Sequence, residues 1–160
     1  MSFRLRPITS SDDPTVATII RSVLTEFGAN QPGFAWQDPE LECLSKVYGS
    51  DNSRYLVVEQ GTQVLGGAGV APFRCHLDGV CELQKMYLSQ SARGLGAGRL
   101  LLVRLLQFAK EQGYQYCYLE TYGPMTQAQQ LYRSLGFREQ PEPWGNSGHS
   151  ACDRWFVAKL

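Results

Sequence analysis

The sequence predicts a single domain of the α/β (α+β) class, and three observations lead to that prediction. Its 160 residues suit one domain that is large enough to bury a core. Runs with the two-residue period of strands and runs with the 3.6-residue period of helices follow each other along the chain. A glycine-rich turn at 93–98 joins a strand-like run to a strongly helical one. We therefore expect residues 1–160 to form one domain in the order β-α-α-β-β-β-α-β-α-β-β.

The first half of the chain predicts two helices and three strands. The side chains of residues 3–8 alternate with the two-residue period of a strand. The capping residues and proline at 9–14 predict the start of a helix, which Gly28 ends. Residues 29–37 are expected to form a loop, and Asp38 begins a second, shorter helix. Two β-rich runs around a Gly-Thr turn predict paired strands. Three glycines in the second run indicate a bulged strand whose backbone is closely approached by a neighbouring segment. The later predicted elements of this half are helix 38–48 and strands 54–60 and 63–73.

The second half predicts four strands and two helices. The helix after the glycine-rich turn is expected to be largely buried because it has closely spaced apolar residues: Leu100, Leu101, Val103, Leu105, Leu106 and Phe108. Gly113 and Gly136 end the two helices. A Pro/Gly/Ser-rich stretch at 141–150 separates the last two strands. The predicted elements are strand 80–88, helix 98–112, strand 114–121, helix 125–135, and strands 137–140 and 153–159.

The glycine-rich turn has the chemistry of an anion-binding site. Glycines allow the backbone to approach a ligand closely, and the first amides of the following helix have no partner within the helix. The helix dipole adds partial positive charge at the same end. No acidic residue lies between Leu83 and Lys110, but this stretch has the basic residues Lys85, Arg93, Arg99, Arg104 and Lys110. A polyanionic ligand fits this balance of charge.

Two common phosphate-binding motifs fit the turn poorly. The P-loop needs a Lys-Ser or Lys-Thr pair after the glycines, and none is present. A dinucleotide-binding fold needs an acidic residue at the end of the next strand, about 20 positions further on. Glu111 comes too early, and Glu120 is a marginal fit. The motif also lies past the middle of the chain, where too little sequence remains for a doubly wound sheet.

Two segments together resemble the GCN5-related N-acetyltransferase (GNAT) family. Residues 82–88 and the turn 93–98 are similar to its core motif, in which Arg/Gln-x-x-Gly-x-Gly/Ala is met by Arg93, Gly96 and Gly98. The segment 128–137 is similar to a second family element at the expected distance. The resemblance implies a mixed, mostly antiparallel sheet of about six to seven strands flanked by four helices. It also implies that the strands on either side of the motif helix splay apart and bind acetyl-CoA in the gap.

The resemblance assigns cofactor-binding roles chiefly to the backbone. It implies that amides of the turn and the helix start hold the pyrophosphate, at Arg93, Gly94, Leu95, Gly96, Ala97, Gly98 and Arg99. It implies that amides of the motif strand polarise the acetyl carbonyl, at Met86, Tyr87 and Leu88. Many relatives have an asparagine three residues before the alanine of the last helix, where this chain has Met125. The contact of that asparagine is therefore not transferred to this chain.

Two side chains are candidate catalytic residues. Glu82 is the candidate base: glutamate is disfavoured in strands, the resemblance places Glu82 beside the gap, and burial there would raise its pKa towards the working pH. Glu120 or a chain of water molecules is the alternative. The resemblance makes Tyr132 the candidate acid for the leaving thiolate, because a phenol titrates near ~10 and a thiol near ~8.5.

The implied function is N-acetyltransferase activity, with acetyl-CoA as co-substrate and an amine as acceptor. A small primary amine or an amino-acid-like molecule is the expected acceptor, while a protein N-terminus or lysine stays open. Its binding wall would come from residues 29–38, 74–79 and 141–150, with Trp36, Trp144 and His149 as candidate lining residues. The alternative is an acyl-CoA-binding module without turnover that acts as a sensor or scaffold. Homodimers are common in the family.

The composition disfavours several other functions. The 15 basic and 15 acidic residues give zero net charge, which argues against a nucleic-acid partner. No run approaches the ~18 apolar residues of a membrane span, and the N-terminus lacks the apolar centre of a signal peptide. Five cysteines without a C-x-x-C pair indicate reduced thiols in a cytoplasmic protein. We expect no metal, because His149 and Cys152 would need remote ligands and His76 is the only other histidine.

Overall fold

Seven strands form one sheet in the computed structural model, which describes residues 2–75 and 78–160. The strands are β1 Arg4–Pro7, β2 Arg54–Gln60, β3 Gln63–Pro72, β4 Val80–Leu88, β5 Tyr116–Thr121, β6 Arg138–Gln140 and β7 Arg154–Lys159. Their order across the sheet is β1-β2-β3-β4-β5-β7-β6. Only β4 and β5 are parallel, and the other neighbours pair antiparallel. The predicted mixed, mostly antiparallel sheet is therefore confirmed.

Four α-helices and three short 3₁₀ turns flank this sheet in the part of the chain that the structure describes. The helices are α1 Asp13–Glu26, α2 Leu44–Val47, α3 Ala97–Glu111 and α4 Thr126–Ser134, and the 3₁₀ turns are Ala35–Gln37, Pro39–Cys43 and Gln90–Ala92. Every predicted element except the second helix is present with bounds within two residues. Among residues 2–75 and 78–160, no helix is long and apolar enough to cross a membrane.

The two parallel strands separate part of the way along their length. Residues 80–82 of β4 pair with residues 116–118 of β5, and the pairing ends there. Beyond that point β4 continues against β3 as far as Leu88, and β5 continues against β7 as far as Thr121. The predicted splay of these strands is therefore present, and it opens a gap at the centre of the sheet.

A bulge bends β4 where the gap begins. Gly69 pairs with Gln84 and Gly67 with Tyr87, so Ala68 alone lies opposite two residues of β4. One of them, Lys85, has a φ of 51°, which is uncommon for a residue with a Cβ. A Cβ at Gly67 would collide with the Leu56 carbonyl oxygen, so β3 needs glycine there. The bulge that was predicted in the glycine-bearing strand lies elsewhere, at Leu65, between the pairs Val58–Gly66 and Glu59–Val64 of β2 and β3.

Each face of the sheet has its own core. α3 packs on one face through buried residues that include Leu101, Leu102 and Leu105, and α1 packs on the other through Val16, Ile20 and Leu24. The expectation of a largely buried α3 is wrong at two positions, because Leu100 and Val103 are each 45% exposed. The 3.6-residue period turns only one face of a helix towards a sheet, so apolar residues between the buried ones remain in solvent.

The second helix was predicted as one element and is two. A 3₁₀ turn spans Pro39–Cys43, and a single α-helical turn follows it. Cys43 has φ −149° and ψ 41°, which breaks the helical path. The carboxylate of Asp13 caps the second turn by accepting from the amide and the hydroxyl of Ser45, at 2.8 and 2.6 Å. The cap comes from α1, so the local sequence did not reveal it.

The start of α1 is fixed by a buried carboxylate, which leads to a first prediction. Asp12 accepts two hydrogen bonds from Arg6, at 2.7 and 2.9 Å, and a third from the Thr9 amide. These bonds lower the pKa of Asp12 to about 2, and the bond from Arg6 has the largest effect. Because the folded pKa lies below the unfolded one, the stabilisation is present above pH ~4 and is lost as the pH falls towards ~2. Asp12→Asn is expected to lower the free energy of unfolding by about 2 kcal/mol at pH 7.

Denaturant unfolding at pH 7 and pH 3 measures this loss. The difference between the wild type and Asp12→Asn should shrink at the lower pH. Asp51→Asn, at an exposed position, is the matched control and should unfold like the wild type. Equal stability of Asp12→Asn and the wild type at pH 7 would show that the cluster contributes nothing net.

Candidate active site

A groove of about 830 Å³ opens on the side of the gap where the glycine-rich turn lies. Its walls are the C-terminal end of α1, the last residues of β4, the turn itself and the start of α4. Its volume falls within the roughly 300–1,000 Å³ of small-molecule sites. The groove therefore has room for an extended ligand beside the turn.

The turn presents bare backbone to this groove. Gly94 and Gly96 have φ of 71° and 87°, and a Cβ at either would meet nothing within 4 Å. The first bond of α3 runs from the Leu100 amide to the Gly96 carbonyl, so the amides of Ala97, Gly98 and Arg99 precede the helical ladder. Gly94, Gly96, Gly98 and Arg99 all line the groove. This arrangement suits a phosphate group.

Arg93 supports the turn with its side chain. Its guanidinium donates to both carboxylate oxygens of Glu26 in α1, at 2.7 and 2.8 Å, and its Nε donates to the Leu88 carbonyl at 3.0 Å. These bonds hold the pKa of Glu26 below its ordinary value. Leu95 is 63% exposed, so its side chain packs against little. Arg93 therefore ties the turn to α1 and β4, and it also lines the groove.

A smaller chamber lies behind the groove, between the splayed strands. It is lined by Glu82, Lys85, Glu120, Tyr132, His149, Cys152 and apolar residues that include Phe34 and Ala35. Four residues line both the chamber and the groove: Met86, Tyr87, Met125 and Ala128. The two spaces therefore adjoin each other beside the bulge of β4, with these four residues between them.

Glu82 is buried in the chamber and held by a chain of polar groups. Its Oε2 accepts from the Gln84 amide group at 2.7 Å, and the Gln84 Oε1 accepts from the Tyr48 hydroxyl at 2.7 Å. Burial raises the pKa of Glu82, and the charge of Glu120 adds to that rise although the Gln84 bond opposes it. The expected burial and raised pKa are both present, while its role as a base stays a prediction.

Glu120 faces the same chamber from β5. Its Oε2 accepts from the Tyr118 hydroxyl at 2.7 Å, and its Oε1 accepts from the Ser147 hydroxyl. Ser147 lies in the Pro/Gly/Ser-rich stretch, which therefore reaches the chamber as the sequence predicted. Glu82 pairs with Tyr118 across the parallel strands, so Glu120, two residues further on, lies on the same face of the sheet as Glu82.

A buried ion pair closes the chamber, and sequence reasoning missed it. The Lys85 Nζ lies 2.6 Å from the Oδ2 of Asp38, and the Nε2 of His149 lies 2.9 Å from the same oxygen. The Lys85 side chain is only 4% exposed. Burial alone would raise the pKa of Asp38, but the bonds from His149 and Lys85 lower it below its ordinary value. No local pattern indicated this cluster, because its members lie in three distant segments.

The predicted acceptor wall is present in part. Residues 29–38 contribute Phe34 and Ala35, and the stretch 141–150 contributes His149. Trp36 packs beside the α1 core, and Trp144 stacks on Tyr118 with a centroid distance of 5.8 Å, so neither lines the chamber. Of the predicted segment 74–79, residues 76 and 77 lie outside the described residues.

The surroundings of the Tyr132 side chain favour the neutral, protonated phenol. It is 5% exposed and packs against Phe137 and Phe156. Its hydroxyl lies 4.0 Å from the Met86 sulfur, a weak contact. Burial raises its pKa above the ordinary value, so the phenol keeps its proton at neutral pH. Burial likewise raises the pKa of the Cys152 thiol to about 12.

His149 and Cys152, the two residues weighed as metal ligands, have other surroundings in the structure. His149 binds Asp38, and Cys152 is a free cysteine that lines the chamber. His76 lies outside the described residues. In the part of the chain that the structure describes, no three His, Cys, Asp or Glu side chains are placed to hold a metal ion.

The splayed sheet, the glycine-rich helix start and the chamber behind them are the features that the two motifs predicted, and comparison with known proteins identifies the family. The model of the Acetyltransferase (GNAT) family matches residues 20–137. The chain therefore belongs to the GNAT family, as its two motifs predicted.

Similar proteins extend this result over the whole chain. The uncharacterized N-acetyltransferase YjgM of Escherichia coli is 37% identical over 157 residues, which cover 98% of this chain and 94% of that protein. A GNAT-family acetyltransferase of Staphylococcus aureus Mu50 has a TM-score of 0.87 at 22% identity, with 99% of both chains covered. YncA of Salmonella typhimurium, solved with its cofactor acetyl-CoA, has a TM-score of 0.79 at 19% identity, covering 100% of this chain and 95% of its own. At these identities the two structures show a shared fold.

Proposed function

We propose that this protein transfers the acetyl group of acetyl-CoA to an amine of a small acceptor. The observation that supports it most is that the groove at the glycine-rich turn adjoins the chamber of Glu82 and Tyr132, with Met86, Tyr87, Met125 and Ala128 lining both. A ligand held by phosphate at the glycine-rich turn could extend along β4 and present its thioester to Glu82 and Tyr132. YncA, which shares the fold, was solved with acetyl-CoA.

Backbone groups are proposed to hold the co-substrate. The amides at 94–99 face the pyrophosphate, where the α3 dipole favours negative charge. The Leu88 carbonyl accepts from Arg93, and the neighbouring Ser89 amide donates to Leu65 of β3. Since strand residues alternate in direction, the Leu88 amide also points away from β3. We assign Met86, on the bulge, and Leu88 as the donors to the acetyl oxygen, ahead of Tyr87, which lies opposite Gly67.

Two side chains are proposed to move protons. An ammonium has no lone pair, so the acceptor must lose a proton, and the Glu82 carboxylate accepts it at a pKa raised by burial. Tyr132 gives its phenolic proton to the leaving thiolate. Acetyl-CoA supplies the activated acetyl group, and the apolar walls at Phe34 and Met125 limit access of water.

Replacement of Glu82 tests the base. Glu82→Gln keeps the size of the side chain but cannot accept a proton, so kcat/KM should fall about 100-fold. In the wild type, activity should rise with pH through a pKa above the 4.5 of an ordinary glutamate, and the variant should lose this acid limb. Steady-state kinetics between pH 5 and 9 measures both. Glu142→Gln, at an exposed site, is the control. An acid limb lost in Glu120→Gln instead would assign the base to Glu120.

Calorimetric titration with acetyl-CoA and with CoA, followed by thiol release with a panel of amines, tests the whole proposal. Micromolar binding together with thiol release is the expected result. Binding without transfer to any amine would favour the acyl-CoA-binding module. Lack of binding at millimolar acetyl-CoA would overturn both functions.

A further inference from the structure

The charges that face the chamber constrain its acceptor. Among the described residues that line it, only Lys85 and His149 can carry positive charge, and Glu82 and Glu120 can carry negative charge. A second ionic group on the acceptor, besides the reacting amine, would have to find its partner in this set.

The positive members of the set are already engaged. The Lys85 Nζ is bonded to Asp38 at 2.6 Å and has the Glu40 Oε1 at 3.9 Å, so two carboxylates oppose its one charge. His149 shares the same Asp38 oxygen. An acceptor carboxylate placed here would meet a cation that is already neutralised, and it would be repelled by Asp38 and Glu40.

The negative members accept no hydrogen bond from a cation, although the charges of His149 and Lys85 act on Glu82 and oppose the rise of its pKa. The bonds to Glu120 come from the Tyr118 and Ser147 hydroxyls, and the bond to Glu82 comes from the Gln84 amide group. All three donors are neutral. The mutual repulsion of the two carboxylates contributes to the raised pKa of Glu82. A cation between them would relieve that repulsion.

Resting on the proposed function, we propose that the acceptor is a cationic amine without a carboxylate, and that Glu120 binds its second, non-reacting ammonium group. Glu82 then accepts the proton of the reacting nitrogen, and Glu120 positions the far end of the molecule. Asp38 contributes to specificity by neutralising Lys85. Short diamines and longer polyamines have this chemistry, whereas amino-acid-like acceptors are disfavoured.

Three four-carbon probes isolate the charge of the far end: 1,4-diaminobutane, butylamine and 4-aminobutyrate. They share a primary amine and chain length, and their far ends are positive, neutral and negative. The kcat/KM of the wild type for diaminobutane is expected to exceed that for butylamine at least about 10-fold, and 4-aminobutyrate should have the lowest kcat/KM of the three. Equal or preferred use of 4-aminobutyrate would overturn the inference.

Two variants test the assigned residues. Glu120→Gln should lower the preference for diaminobutane over butylamine about 10-fold, chiefly through a higher KM for diaminobutane. Asp38→Asn should release Lys85 and raise the use of 4-aminobutyrate relative to diaminobutane about 10-fold. Calorimetry with acetyl-CoA checks that each variant retains a folded groove. Unchanged preference in both variants would contradict the assignment.

Binding of the probes to the CoA-saturated protein separates the two proposals, because it needs no turnover. Tight binding of diaminobutane without acetyl transfer would retain the charge inference and overturn the enzymatic function. Acetyl transfer that prefers 4-aminobutyrate would retain the function and overturn the inference. Failure of diaminobutane to bind in preference to 4-aminobutyrate would overturn the inference whatever the activity.

Discussion

Gly96→Glu is expected to abolish binding of acetyl-CoA, with a loss of affinity of at least about 100-fold, or ~2.7 kcal/mol. Gly96 precedes the first residue of α3, and a Cβ there points into open space on the groove. A glutamate would fill the volume assigned to the pyrophosphate and place a negative charge beside it. Its carboxylate would also compete for the free amides at the start of the helix.

The chain offers a matched control for this change at the other end of α3. Gly113 has a φ of 84° against 87° for Gly96, and a Cβ at either would meet nothing within 4 Å. Gly113→Glu therefore has the same backbone cost of about 1–2 kcal/mol, without touching the groove. Calorimetry with acetyl-CoA should show normal affinity for Gly113→Glu and none for Gly96→Glu. Similar affinity in both variants would show that the turn does not hold the co-substrate.

Local pattern was sufficient for most of the fold. The period of apolar residues and the glycines that end helices gave nearly all element bounds, because both depend on neighbours in sequence. The second helix was predicted wrongly because its cap, Asp13, lies 32 positions from Ser45. The exposure of Leu100 and Val103 was missed because apolar character alone does not say which side of a helix meets the sheet.

The same distinction between local and distant information explains the site. The glycine-rich turn and the Glu82 strand are continuous in sequence, so a motif could identify them. The ion pair between Lys85 and Asp38 joins residues 47 positions apart, and the bond between Asp38 and His149 spans 111 positions. Both depend on how two loops fold over the splayed strands. The proposed acceptor specificity rests partly on these loops, which is why the sequence alone left the acceptor open.

Tyr132→Phe is expected to lower kcat about 100-fold while the affinity for acetyl-CoA changes little. The change removes the proton that the leaving thiolate would take, and it keeps the ring packed on Phe137 and Phe156. The hydroxyl has only a weak contact with the Met86 sulfur at 4.0 Å, so its loss should cost less than about 1 kcal/mol of stability. Because burial raises the pKa of Tyr132, the wild type should show no alkaline limb from this group below pH ~10.

Tyr114→Phe separates loss of a hydroxyl from loss of a proton donor. The Tyr114 hydroxyl donates to the Asn52 carbonyl at 2.9 Å, and the residue lines neither the groove nor the chamber. Tyr114→Phe should therefore lower stability by about 1 kcal/mol and leave kcat unchanged, the opposite pattern to Tyr132→Phe. Thiol-release kinetics and denaturant unfolding of the two variants measure both quantities. Full activity of Tyr132→Phe would mean that the thiolate takes its proton from water, and the enclosed phenol would then serve only to pack α4 against the sheet.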